Sequence, residues 1–210
     1  MIELIEISKK HDQKELFNDF SLTIDKGDFV AIKGESGRGK TTLLNIISGI
    51  ESLDQGSRRI DDLDYTLMTS QQQKLLYRYK LSFIFQNYGL LTNDTVYKNL
   101  SLVLKVKKVV KSDYEQLINK ALRETNLAEV DLQAKVYSLS GGEQQRLSIA
   151  RCLLSNNPII LADEPIGSLD AKNSKLVMTL LKKMNQRGRT IVLVTHDNQF
   201  DGYYTKIINL

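Results

Sequence analysis

The chain has 210 residues, 41% of them hydrophobic and 26% charged, with a formal net charge of +4. This is room for one domain with a full core, and the positive excess is too small and too scattered to predict nucleic-acid binding. No apolar run nears the roughly 20 residues of a membrane helix, no secretory signal is expected at Met1-Ile2-Glu3-Leu4, and a single cysteine, Cys152, excludes an internal disulfide framework and fits a reducing cytoplasm.

The first strong element is Asp28-Phe29-Val30-Ala31-Ile32, an apolar run that reads as a buried strand. It leads into Gly34-Glu35-Ser36-Gly37-Arg38-Gly39-Lys40-Thr41-Thr42, which fits the pattern G-x-x-x-x-G-K-[ST]. A helix is predicted next, with Leu43, Leu44, Ile46, Ile47 and Ile50 on one broad face. Glycines let backbone N–H groups curl around phosphate oxygens, and the helix points its positive end at the same anion. Lys40 is expected to reach the β- and γ-phosphates of a nucleotide, and Thr41 to ligate Mg²⁺. The fixed positions alone arise by chance in roughly one chain per hundred. The bland alternative is a flexible glycine turn before a core helix, and the order strand, loop, helix weighs against it.

Residues 56–80 have lower apolar density and are expected to hold a short antiparallel region. Val96–Leu104 and Asp113–Leu127 read as helices joined by a basic connector, Lys105–Lys111. Ser140-x-x-Glu143 is a capping box that opens a helix over Glu143–Ser155, with Leu147, Ala150 and Leu154 on one face. A cap does not require Gly141-Gly142, which cost roughly 0.5–1 kcal/mol each relative to alanine in a first turn. They are expected where N–H groups must approach an anion closely, as a second phosphate-grade helix start.

Pro158 precedes a fully apolar strand, Ile159–Ala162, which ends in Asp163-Glu164. Ligands of open α/β sheets bind at that strand end. Asp163 is the expected Mg²⁺ partner, and Glu164 can act as general base on an attacking water; a solvated acidic turn is the alternative. A further strand, Ile191–Val194, ends at His196, one of 2 histidines. It is expected at the same sheet edge, able to donate a hydrogen bond to a γ-phosphate.

Taken together these strings resemble the ABC ATPase family along essentially the whole chain. Gly34–Thr41 is similar to its Walker A motif, Ile159–Glu164 to Walker B, Leu139–Gln144 to the signature, Gln86 to the Q-loop glutamine, Ser168-Leu169-Asp170 to the D-loop and His196 to the switch histidine. The resemblance implies an α/β phosphate-loop NTPase fold: a mostly parallel core sheet, a small antiparallel region and a helical subdomain. It implies one domain over 1–210, with a nucleotide-binding core at 1–86 and 138–210 and the helical subdomain at about 87–137. It implies ATP and Mg²⁺, Gln86 touching metal or attacking water, and a head-to-tail pair of copies. In that pair Ser140, Gly141 and Gly142 contact the nucleotide held by the other copy's phosphate loop. It further implies integral membrane subunits that hold the chain to the cytoplasmic face, with Tyr88, Leu90 and Leu91 as candidate contacts; core packing explains the leucines equally well.

The strings around Phe85–Leu91, Ser140–Arg151 and Ala162–Asp170 are similar to the branch of lipoprotein-release, macrolide or peptide export and cell-division cassettes. Three positions depart from the family: Arg38 stands for a small residue, Ile166 for threonine, and His11 for an aromatic that stacks on adenine. A soluble cassette acting in DNA repair or translation, a degenerate regulatory cassette and a phosphate-loop kinase are the competing readings. The first normally has paired cassettes or a coiled-coil insertion. Lys40, Asp163, Glu164 and His196 disfavour the second, and the signature helix has no role in the third.

Overall fold

A computed structural model describes residues 1–11, 14–61 and 63–210. Its centre is a five-stranded parallel sheet in the order β6-β7-β8-β3-β9: β3 is Phe29–Lys33, β6 Leu81–Ile84, β7 Ile159–Asp163, β8 Thr190–Val194 and β9 Lys206–Asn209. β3 and β8 are buried along their whole length, as expected for strands covered on both faces. Because the strands are parallel, the segments that follow β3, β6, β7 and β8 all emerge at one edge. That shared edge is what gathers the site.

A four-stranded antiparallel sheet, β2-β1-β4-β5, lies beside it. β1 is Ile2–His11, β2 Lys14–Ile24, β4 Gln55–Ile60 and β5 Leu63–Asp64. The antiparallel region thus comes mainly from the first 24 residues, and only its two short strands fall in the expected 56–80 segment. Much of that segment is instead a helix, α2, Ser70–Tyr79. Only Leu76 of α2 is buried, so its apolar period is faint, although the Thr69/Gln72 capping box that starts it was visible as T-x-x-Q. β1 and β2 are irregular: their register shifts twice between Leu4 and Lys9, and Glu6 and Asp19 take positive φ. Such bulges break the alternation by which a strand is read.

Helix α1, Lys40–Ser48, fills the space between the two sheets. Leu43, Leu44, Ile46 and Ile47 are fully buried against Ile2, Leu4 and Ile24 on one side and Val30, Ile32 and Val192 on the other. Ile50 does not share that face. The helix ends at Ser48 with Gly49 in the left-handed region, and Ile50 is 50% exposed beyond it. The opposite face of the parallel sheet is covered by α5, Gly141–Ser155, and α6, Ala171–Gln186.

A third apolar cluster joins α3, Val96–Val106, and α4, Tyr114–Glu124, to Leu147 and Ala150 of α5. Helix α5 therefore buries two faces: Ile149 and Cys152 reach the sheet, Leu147 and Ala150 the helical cluster.

Candidate functional site

The loop 34–39 carries the chain from β3 to α1. Gly39, the residue before the helix, sits at φ 89°, which an L side chain rarely adopts, and it supplies no side-chain cap. There is no acidic residue in the first turn of α1. The free N–H groups and the positive end of the helix dipole are left facing outward. Lys40 bends back across the loop, its Nζ donating to the carbonyls of Gly34 and Glu35, each at 2.9 Å. Glu35 and Arg38 form an exposed pair at 3.5 Å on the outer rim of the loop.

The loop borders a cavity of about 550 Å³. Ser36, Gly37, Gly39, Lys40, Thr41 and Thr42 form one wall. Gln86, just past β6, and Glu164, just past β7, form another, and His11, at the end of β1, closes the mouth. Asp163 is the last residue of β7 and accepts a hydrogen bond from Thr41 Oγ1 at 3.2 Å. Burial pushes the Asp163 carboxyl above its usual range, the Thr41 hydroxyl opposes the shift and the charge of Glu164 adds to it. A cation between these oxygens would offset that penalty.

Glu164 is held at φ 44°, a left-handed conformation that costs a non-glycine residue free energy. The surroundings enforce it: its N–H donates to Val194 O at 3.1 Å and its carbonyl accepts from Gly167 N–H at 3.2 Å. Its Oε1 lies 3.0 Å from His196 Nδ1, and its Oε2 is buried with no partner among the described residues. The carboxylate also borders a second, smaller cavity lined by Thr195 and His196, so it stands between two spaces.

The structure does not bring the signature to this cavity. Ser140, Gly141 and Gly142 open α5 elsewhere, where Ser140 Oγ accepts from Glu143 N–H at 3.3 Å and Glu143 Oε2 accepts from Ser140 N–H at 2.8 Å. A Cβ on Gly142 would come within 2.6 Å of the Asn173 side chain, and one on Gly141 within 2.9 Å of the Tyr88 hydroxyl. Close internal packing therefore explains both glycines without an anion. Buried Gln145 links this helix to the acidic turn, donating from Nε2 to Pro165 O at 2.6 Å.

One lining residue carries no signal in the sequence. Lys14, at the start of β2, lines the cavity and donates to Gly37 O at 2.8 Å; only the β1–β2 hairpin brings it there. Of the expected docking contacts, only Leu91 opens onto the groove beside α3. Leu90 packs in the helical cluster, and the Tyr88 hydroxyl lies 3.4 Å from Ser168 Oγ, toward the signature.

The family profile described as ABC transporter matches residues 17–167. Over 210 residues the chain is 40% identical to the macrolide export ATP-binding/permease protein MacB of Campylobacter jejuni, covering 100% of this chain and 33% of that one. It is 38% identical over 200 residues to the spermidine/putrescine import ATP-binding protein PotA of Vibrio cholerae, covering 95% and 51%. The chain thus spans between a third and a half of the length of these relatives. Two dimeric structures of the ATP-binding cassette MJ0796, one described as a post-hydrolysis state bound to ADP and Pi, superpose with TM-scores of 0.91 and 0.92. Each is 35% identical and covers 100% of this chain and 94% of theirs. On the sequence match, the superposition and the motif geometry together, the chain belongs to the ABC transporter family, as an ATP-binding cassette with the α/β phosphate-loop fold.

Proposed function

We propose that the chain is the Mg²⁺-dependent, ATP-hydrolysing motor of a transporter, working as a head-to-tail pair on membrane subunits. The observation that carries the reading is the convergence of Lys40, Thr41 and Glu164 on one cavity, with the Thr41 hydroxyl donating to Asp163 beside it. Hydroxyl and carboxylate oxygens suit Mg²⁺, and an open helix start flanked by lysines suits a polyphosphate. Bound there, Mg²⁺ would neutralise charge developing on the transferred phosphoryl group.

The chain's own groups do the rest. The Lys40 ammonium exchanges two loop carbonyls for phosphate oxygens. Glu164 accepts a proton from the attacking water, its carboxylate oriented by His196 at Oε1. Gln86, on the facing wall, orients that water or the metal. Because Ser140, Gly141 and Gly142 lie away from the cavity of their own chain, their nucleotide contact is to the second copy's site. The dimeric MJ0796 cassettes support that arrangement.

No helix among the described residues is long and apolar enough to cross a membrane. We assign contact with the membrane to the membrane-spanning part of the transporter, on the cytoplasmic side, docking in the groove between α2, α3 and the β6 edge, with 87–137 as the helical subdomain and the remainder as the core. The branch strings and the MacB relatives favour export of a peptide, lipoprotein or drug. The PotA match keeps import as the second reading. Phosphate release by the purified chain should require Mg²⁺, stop in EDTA and stop in Lys40→Ala. Co-expressed with its membrane subunits, the chain should sediment with membranes. Turnover that persists in EDTA would sink the metal-assisted reading, and phosphate transfer to an acceptor other than water would make the chain a kinase.

A further inference from the structure

Strand β3 ends in a lysine. Phe29 and Ala31 of this strand face the apolar cluster beneath α5 and α6, and Lys33 continues their face, 8% exposed. A buried ammonium is costly unless it is paired, and a pair of this kind is often no more stable than apolar residues of similar size. Stability alone therefore does not explain a lysine at the end of a strand buried along its whole length.

The ammonium is fully engaged. Its Nζ donates to Asn198 Oδ1 at 2.7 Å and to the Asp201 carboxylate, and it lies 5.9 Å from the centroid of the Tyr204 ring. These partners belong to the segment 195–205, which carries the chain from β8 to β9 and opens with Thr195-His196. Strand β9 has other anchors: Thr205 N–H donates to Phe29 O at 2.8 Å, Leu210 N–H donates to Lys33 O at 2.9 Å, and Tyr204 meets the Phe29 ring edge-on. The stretch 196–201 is different. Asp197 N–H donates to Thr195 Oγ1 at 3.1 Å and Gln199 N–H to Asp197 Oδ1 at 2.7 Å, both within the segment. Apart from the buried ring of Phe200, two hydrogen-bonded ties reach this stretch from the rest of the described residues: Glu164 on the His196 ring, and Lys33 on Asn198 and Asp201. The His196 side chain is 70% exposed, so packing does not hold it. Lys33 is joined by one peptide bond to Gly34, the first residue of the phosphate loop. A single side chain thus spans from the start of that loop to the turn that follows the histidine.

We propose that Lys33 is a positioning residue for hydrolysis: with Asn198 and Asp201 it fixes the turn after His196, and so sets the imidazole on Glu164 Oε1. The inference rests on the reading that Glu164 and His196 act in hydrolysis, and it adds the residue that holds the histidine in place.

The full chain is compared as wild type, Lys33→Met, Asp201→Asn, His196→Ala and the double variant Lys33→Met/His196→Ala. Lys33→Met keeps an unbranched stem and removes the charge. Its kcat for phosphate release should fall about 10–10²-fold, the cost of displacing a catalytic group by about 1 Å. KM for ATP should stay within about twofold, because Lys40 and the start of α1 are untouched. In the His196→Ala background the same substitution should cost less than about twofold more, since both changes disable one unit. A second readout needs no nucleotide. The chain has 2 histidines, so the ring-nitrogen NMR signals of His196 are assigned by their loss in His196→Ala. In the neutral ring the bond to Glu164 selects one tautomer, and Lys33→Met should give the two-tautomer average of a free imidazole. Asp201→Asn should move both readouts in the same direction, and it carries the test if Lys33→Met does not fold. A Lys33→Met chain with kcat and ring signals of wild type, alongside a slow His196→Ala, would overturn the proposal and leave the hydrolytic reading standing. An equal fall of kcat in both backgrounds with the ring signals unmoved would make Lys33 a residue of stability only, and would overturn it as well. A His196→Ala rate within about twofold of wild type would overturn the reading and the proposal together.

Discussion

Two helices of this chain start in glycine-rich sequence, and they start differently. Helix α1 follows Gly39, which offers no side-chain cap, and its first turn has no acid. Helix α5 follows Ser140 in a complete capping box, in which Ser140 Oγ accepts from Glu143 N–H and the Glu143 carboxylate accepts from Ser140 N–H. The first turn of α1 is therefore left without a side-chain acceptor, whereas in α5 the Glu143 N–H is capped by Ser140 and a carboxylate already stands at the helix start. The glycines differ too. Gly39 is needed for its backbone angle, Gly142 for its closeness to Asn173. Similar sequence texture thus serves one end without a side-chain cap and one end with a full capping box, and this fits a chemistry based at α1 with α5 as the surface offered to a second copy.

The largest effects should fall on the α1 side. Glu164→Gln removes the base but keeps the oxygen donors of Thr41 and Asp163, so steady-state phosphate release should drop about 10²–10⁴-fold while ATP binding survives. Release within a factor of about two of wild type would exclude Glu164 as the base. Assembly should depend on α5. Glu164→Gln with ATP should run as a dimer in size-exclusion chromatography with light scattering. Adding Ser140→Arg should return it to monomer by setting a bulky cation against the other copy's phosphate loop. A dimer that tolerates Ser140→Arg would mean that α5 does not face the nucleotide across the pair.

A smaller effect tests whether α5 is self-capped. Glu143→Ala should lower stability by about 0.5–1 kcal/mol, a Tm change of about 1–4 °C for a chain of this size. The Ser140 hydroxyl, then the Ser140 N–H, hold the Glu143 carboxyl below its ordinary 4.5. A depressed folded value means that the contribution is complete above 4.5 and is lost as the pH falls through the folded value. The gap between wild type and Glu143→Ala should therefore be widest near neutral pH and close in acid. A gap that stays constant into acid would assign the loss to helix propensity.

What could be read in one dimension follows from the same physics. The parallel strands β3, β7 and β8 are buried on both faces, so they stand out as apolar runs, and the phosphate loop and acidic turn at their ends come with them. The bulged strands β1 and β2 and the mostly exposed α2 carry no such period. Lys14 and Lys33 are ordinary cations until folding sets them on Gly37 O and on Asp201. The glycines of the signature were legible as unusual. The packing against Asn173 and Tyr88 that explains them is long-range in sequence and was not.

The smallest effect concerns how much of the nucleotide's affinity comes from α1 alone. His11 ends β1 at the mouth of the cavity, where the family commonly stacks an aromatic on adenine. An imidazole offers less stacking area than a phenol ring. Phe17, the aromatic nearest in sequence, is 4% exposed and packs in the core against α1, its ring reaching toward Gly39, so it is not free to replace the missing ring. Affinity should then come chiefly from the open helix start, Lys40 and Lys14, which would face the phosphates that ATP and GTP share. We expect weak discrimination between the two nucleotides in wild type. His11→Tyr should tighten ATP binding by up to about 1 kcal/mol, or roughly fivefold, and leave the maximal rate of hydrolysis unchanged. Lys14→Gln should weaken ATP and GTP alike, because it acts on the shared phosphates. Titration of both nucleotides against the three proteins decides the matter. A strong ATP preference in wild type that His11→Tyr leaves untouched would mean that another side chain holds the base and that His11 is only a rim residue.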